Sequence, residues 1–162
     1  MSTRPGIPQA QMGKLLEQEF SASEQLKQLL AAEQQAITAR NIPVFEEIIE
    51  KKRLMLERVV QYEQQRISLL ESCGIKHGPG SMDDYLKACL DDGKLTDLWQ
   101  RLLSMAANCR DHNRRNHQLV ELCSAHTRKA LCVLRGEAMD QNVYGPDGDT
   151  SDPHENRFLT IA

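Results

Sequence analysis

"LTDLWQRLLSMAANCRDHNRRNHQLVELCSAHTRKALCVLR", residues 95–135, decides the fold. It contains no proline or glycine, so nothing within it removes a helix donor or loosens the backbone. Its seam residues step alternately by four and three: Leu95, Trp99, Leu102, Ala106, Cys109, Asn113, Asn116, Val120, Cys123, Thr127, Ala130 and Leu134. That spacing keeps one stripe on one face of a helix for more than five heptads, as in a coiled coil. At 1.5 Å per residue the predicted helix is roughly 60 Å long.

The rest of the chain supplies its neighbours. The six prolines stand at 5, 8, 43, 79, 146 and 153, leaving 44–78 and 80–145 free of them and so open to long helices. Residues from about 9 to 40 place Met12, Leu15, Leu16, Phe20, Leu26, Leu29, Leu30 and Ile37 on one face, which predicts a first helix. "ARNIPVFEE" interrupts it: Asn41 suits a C-cap and Pro43 the first turn of the next helix. The second helix carries Phe45, Ile48, Ile49, Met55, Leu56, Val59, Tyr62, Leu69 and Leu70 before Gly74 stops it. So short a link implies antiparallel neighbours. "GIKHGPG" reads as a loop, and Ser81 with Asp84 resembles a capping box opening a short helix over 82–91. The expected fold is all-α: an elongated antiparallel helical bundle with three long helices and one short one.

Composition agrees with that class. The 162 residues are 40% hydrophobic but only 4% aromatic, which suits helices better than sheets. The net charge of −3 is unevenly placed. The first 135 residues are close to neutral, whereas from Gly136 onward six acids face one base, Arg157. Neither part has the dense basic surface of a protein that grips phosphates, so no nucleic-acid partner is expected. No signal-peptide pattern and no long apolar run occurs, which points to a cytoplasmic protein without membrane insertion. Five cysteines without C-x-x-C spacing argue against a disulfide framework.

Catalytic chemistry is hard to find. There is no nucleophile motif, glycine-rich phosphate loop or H-E-x-x-H, so an enzyme is not expected and no cofactor is implied. Cys109/His112 and Cys123/His126 have i, i+3 spacing, but the pairs lie 14 residues apart, roughly 21 Å along a helix. One zinc ion cannot join them, and no metal is expected. Arg110, Arg114 and Arg115 read as a solvated face. Asn113 and Asn116 interrupt the apolar seam; either they form a polar layer that sets helix register or they meet a partner.

Binding remains. "KALCVLRG" holds five consecutive apolar residues, Ala130 to Leu134, so apolar side chains point in several directions. Leu119, Leu122 and Val133 lie off the seam. Together with Leu131 and Leu134 they either bury against the first helix or form a partner patch.

The segments "AEQQAI", "EKKRLMLERVVQYEQQR", "NRRN" and "YGPDGDT" occur in the order seen in FlgN-type flagellar export chaperones, and the chain resembles that family from about residue 12 to 150. The resemblance falls on Lys52, Leu56, Val59, Glu63 and Arg66, on Asn113 and Asn116, and on Tyr144, Gly145, Asp147, Gly148 and Thr150. Met55 stands where a leucine is typical of the family. The resemblance implies a cytosolic chaperone that keeps hook-associated (hook–filament junction) proteins soluble and delivers them to the flagellar type III export gate. It implies substrate binding by the C-terminal region and gate docking by the tail tyrosine, Tyr144. A coiled-coil adaptor without chaperone activity is the rival reading. The expected organisation is a disordered N-terminus over 1–8, a helical bundle over 9–135 and a flexible acidic tail over 136–162. Such a tail buries too little apolar surface to offset its entropy, yet Tyr144 could anchor it to a partner.

Overall fold

The computed structural model describes residues 8–89 and 93–136. Four helices account for nearly all of them: α1 (Gln9–Thr38), α2 (Ile42–Ser72), α3 (Ser81–Ala88) and α4 (Lys94–Arg135). Among the described residues there is no strand, and the expected class holds: three long helices and a short one. The N-terminal segment 1–7 and most of the acidic tail, 137–162, lie outside the described residues.

Three seams build the bundle. On α1 the buried residues step Met12, Leu16, Glu19, Ser23, Leu26, Leu30, Glu33, Ile37, alternately four and three apart. On α2 the matching series is Phe45, Ile48, Lys52, Met55, Val59, Tyr62, Arg66, Leu69, all buried or half-buried. The α4 seam is the one read above, buried at Leu95, Leu102, Cys109 and Asn116.

Contacts between seams give the directions. Glu19 meets Arg66 and Glu33 meets Lys52, so rising numbers on α1 face falling numbers on α2: these helices are antiparallel. Arg66 meets Trp99 and Lys52 meets Asn113, so α2 and α4 are also antiparallel. Ser23 accepts from Cys109 and Leu30 from Asn116, which makes α1 and α4 parallel.

The connection from α1 to α2 is tight because α1 closes in a Schellman motif. Arg40 N–H donates to Ile37 O at 3.0 Å and Asn41 N–H to Ala36 O at 3.0 Å. Arg40 takes the left-handed position with φ 53°. Asn41 is not the C-cap expected from sequence. It is the N-cap of α2, its Oδ1 accepting from Val44 N–H at 3.4 Å, with Pro43 in the first turn. The side-chain acceptor settles the choice, since three donors at the start of α2 need partners. At the end of α2 the same motif recurs with Gly74 in the left-handed position.

The expected capping box on α3 does not form. Gly80, at φ 82°, is the N-cap and Ser81 is already inside the helix, so the Ser81 side chain makes no cap bond. The helix also stops earlier than read, at Ala88. Its role is to plug the bundle end: Met82 and Tyr85 bury completely beside Met12, Leu16, Leu70 and Leu95, forming the main apolar core. A smaller cluster of Leu26, Leu30 and Cys109 lies further along the three helices, with Met55 packed against it.

By contact density the residues fall into two units, one through Leu122 and one from Cys123 on. The contacts between helices described so far belong to the first.

Candidate functional site

The seams carry charge in a regular pattern. Glu19 and Glu33 on α1 are 14 residues apart; so are Lys52 and Arg66 on α2, and Trp99 and Asn113 on α4. Two heptads therefore separate two polar layers, roughly 21 Å along the bundle. Each layer takes an acid from α1, a base from α2 and a third group from α4.

In the layer nearer α3, Arg66 Nε donates to Glu19 Oε2 at 2.9 Å while its guanidinium lies 4.8 Å over the Trp99 ring. Both charged residues are buried. Desolvation pushes the Glu19 carboxyl above its usual range, against the pull of Arg66. A carboxyl raised in this way favours the folded state below its unfolded pKa, and that contribution fades as pH rises through the folded value. Arg66 is the group that lets Glu19 be buried at neutral pH.

In the second layer, Lys52 Nζ donates to Glu33 Oε1 at 2.7 Å and to Asn113 Oδ1 at 3.2 Å. Asn116 is only 1% exposed. Its Nδ2 donates to Leu30 O at 2.8 Å and to Glu33 Oε2 at 2.9 Å. The choice left open for the two asparagines thus divides. Asn116 is a structural donor locked inside the bundle; Asn113 is exposed and linked to it through Lys52.

The tempting Cys–His pair has other business. Cys109 Sγ donates to Ser23 O at 3.6 Å, and burial pushes its thiol pKa up. His112 Nε2 sits 3.0 Å from Gln34 Oε1. Among the described residues no group of three His, Cys, Asp or Glu could hold a metal ion. Of the arginine cluster, Arg114 pairs with Asp111 at 3.1 Å on the surface. No helix of the described residues is long and apolar enough to cross a membrane.

The sequence-derived partner residues stand elsewhere. After Asn116 no described residue of α4 is buried. Leu119 is half-buried, Leu122 is 62% exposed, and Leu131 and Val133 are exposed; Leu134 reaches 82%. Tyr144 lies outside the described residues.

Sequence reading missed Glu19 and Glu33 as seam residues, and gave Lys52 and Arg66 no physical role. The signal was present: the four–three stepping of α1 passes through both glutamates once polar residues are admitted to the seam.

Four of the positions shared with the resembling family, Lys52, Arg66, Asn113 and Asn116, lie in the two polar layers. The FlgN protein family model matches residues 9–152. The chain belongs to the FlgN family. Two curated relatives, each called Flagella synthesis protein FlgN, come from Yersinia enterocolitica, one of them from serotype O:8 / biotype 1B. Each is 28% identical over 135 residues, covering 82% of this chain and 84% of the relative. No solved structure matches the chain significantly. Within the FlgN assignment, Lys52, Arg66, Asn113 and Asn116 are accounted for by the two polar layers, whereas the Tyr144 to Thr150 motif lies outside the described residues.

Proposed function

We propose that this FlgN-family protein is a cytosolic export chaperone that binds hook-associated flagellar proteins, keeps them soluble and hands them to the cytosolic domain of the flagellar export gate. The observation that carries the reading is the apolar end of α4: Leu122, Leu131, Val133 and Leu134 are all exposed, whereas earlier in the helix Leu95, Leu102 and Cys109 are buried. Large apolar side chains held in water in one region mark a partner surface. Family membership and the flagellar name of the curated relatives support cargo of that kind. Tyr144 serves as the gate anchor in this reading.

Calorimetry with a purified hook-associated subunit tests it. Leu122→Asp and Val133→Asp should each weaken binding at least tenfold while the melting temperature holds, because both side chains are already solvated. Tyr144→Ala should spare cargo binding and weaken the loaded chaperone's affinity for the gate domain roughly thirtyfold. Unchanged cargo affinity in both aspartate variants would remove the end of α4 from the binding site.

A further inference from the structure

The short helix α3 differs from the three long ones in what holds it. Among the described residues, Asp83, Asp84 and Lys87 form no ion pair with the long helices. The attachment is apolar instead. Met82 and Tyr85 are buried on a seat of Met12, Leu16, Leu70 and Leu95, with the half-buried Leu86 packed against the same cluster. Apolar contact is non-directional, unlike the Glu19–Arg66 and Glu33–Lys52 pairs that key the long helices to one another.

Tyr85 carries a polar atom that this seat does not serve. The residue is wholly buried, yet its hydroxyl meets no nitrogen or oxygen partner. Burial pushes the phenol pKa up, and the neighbouring group is the Cys89 thiol, a weak donor and acceptor. A phenylalanine would fill the same space without stripping a hydroxyl of water. When α3 leaves its seat, water returns to that hydroxyl. The closed state therefore carries a cost that an open state lacks.

The surroundings leave room for such a movement. Gly80 and Gly93 flank the helix with φ 82° and 84°. A Cβ at either would meet nothing within 4 Å, so glycine serves the left-handed backbone there and not a close approach. Ser81, Met82 and Asp83 border a cleft of about 410 Å³ that Ile67 and Trp99 also line. With eight residues, α3 is too short to stay helical alone in water.

We infer that α3 is a releasable plug: residues 81–89 leave the end of the bundle as one unit, lose their helix, and uncover the apolar seat of Met12, Leu16, Leu70 and Leu95 while the three long helices stay paired. The device gives the protein a hidden apolar surface besides the exposed residues late in α4, and it does not depend on what those residues bind.

Two buried thiols report on it within one molecule. Cys89 closes α3, and Cys109 lies in the second cluster of the long helices. The native full-length protein is alkylated with N-ethylmaleimide, and each cysteine is followed by peptide mass spectrometry, its rate divided by that in the urea-unfolded chain. Cys89 should react at least tenfold faster than Cys109 on this scale. Leu30→Ala should speed Cys109 at least tenfold and leave Cys89 unchanged, because Leu30 stays buried when only the plug opens. Tyr85→Phe should slow Cys89 about fivefold, and Gly80→Ala should speed it about fivefold by straining the left-handed position. Equal protection of the two thiols, or a Cys89 rate that rises with that of Cys109 in Leu30→Ala, would overturn the plug by tying α3 to global unfolding. A Cys89 rate indifferent to Gly80→Ala would overturn it too, since fraying of the last turn exposes the thiol without moving the start of the helix. So would a rate indifferent to Tyr85→Phe, which would show that the buried hydroxyl costs the closed state nothing.

Discussion

The two ends of α4 have the same four–three spacing and opposite environments. From Leu95 to Asn116 every seventh residue is buried: Leu95, Leu102, Cys109 and Asn116. From His117 to Arg135 none is, although Val120, Cys123, Thr127, Ala130 and Leu134 continue the stripe. The lesson is that a seam pattern states what a helix can pair with and leaves open whether a partner is present. α1 has 30 residues and α2 has 31 to set against the 42 of α4. The later turns leave Leu122, Leu131, Val133 and Leu134 exposed. Burial in the first half also tolerates charge, through the Glu19–Arg66 and Glu33–Lys52 layers, whereas the second half has no such layer among its described residues.

Substitutions sharpen this contrast. The greatest loss should follow Arg66→Met, which leaves the Glu19 carboxylate buried beside Trp99 without its guanidinium. Breaking one side of a buried pair commonly costs about 3–5 kcal/mol. The deficit relative to wild type should shrink as pH falls, because Glu19, whose pKa is already raised, takes up a proton and no longer needs a counter-charge. Chemical denaturation at pH 7 and pH 4 measures both. A deficit that stays constant over that range would mean the carboxyl is solvated when Arg66 is gone.

Next comes Leu102→Ala, in the main core, with an expected loss of about 3 kcal/mol from lost transfer energy and the cavity left behind. Its counterpart Leu122→Ala should stay within about 0.5 kcal/mol. Equal losses at the two positions would erase the distinction between the halves.

Asn116→Leu should cost about 1–3 kcal/mol, since Leu30 O and Glu33 Oε2 both lose a donor in a buried site. Asn113→Leu, three residues earlier but exposed, should change stability by no more than about 0.5 kcal/mol. A stabilising Asn116→Leu would show that apolar packing outweighs the two hydrogen bonds, and that the amide serves register alone.

The smallest effect should come from Val133→Asp, whose melting temperature should match wild type because the side chain is solvated before and after. A marked drop would place Val133 in a buried environment and withdraw the exposed patch.

Much of this protein was legible in its residues, for a physical reason. Helix length follows from where prolines and glycines stand, and helix faces follow from spacing, both of which are local. The proline-free stretches and the apolar spacing within each, the four–three stepping of Leu95 to Leu134 above all, were enough to specify three long helices and a short one. Family kinship was legible too, in Lys52, Arg66, Asn113 and Asn116. Capping was less so. Asn41 and Ser81 each suit more than one position at a helix end, and which donors they meet depends on backbone angles set by Arg40 and Gly80. What only the tertiary structure decided was the partner of each seam residue. A glutamate in an apolar stripe reads as a surface residue until an arginine from another helix arrives beside it, as Arg66 does at Glu19. Two asparagines three residues apart look alike in sequence; one is enclosed by Leu30 and Glu33 and the other is open to solvent, because burial depends on neighbours distant along the chain.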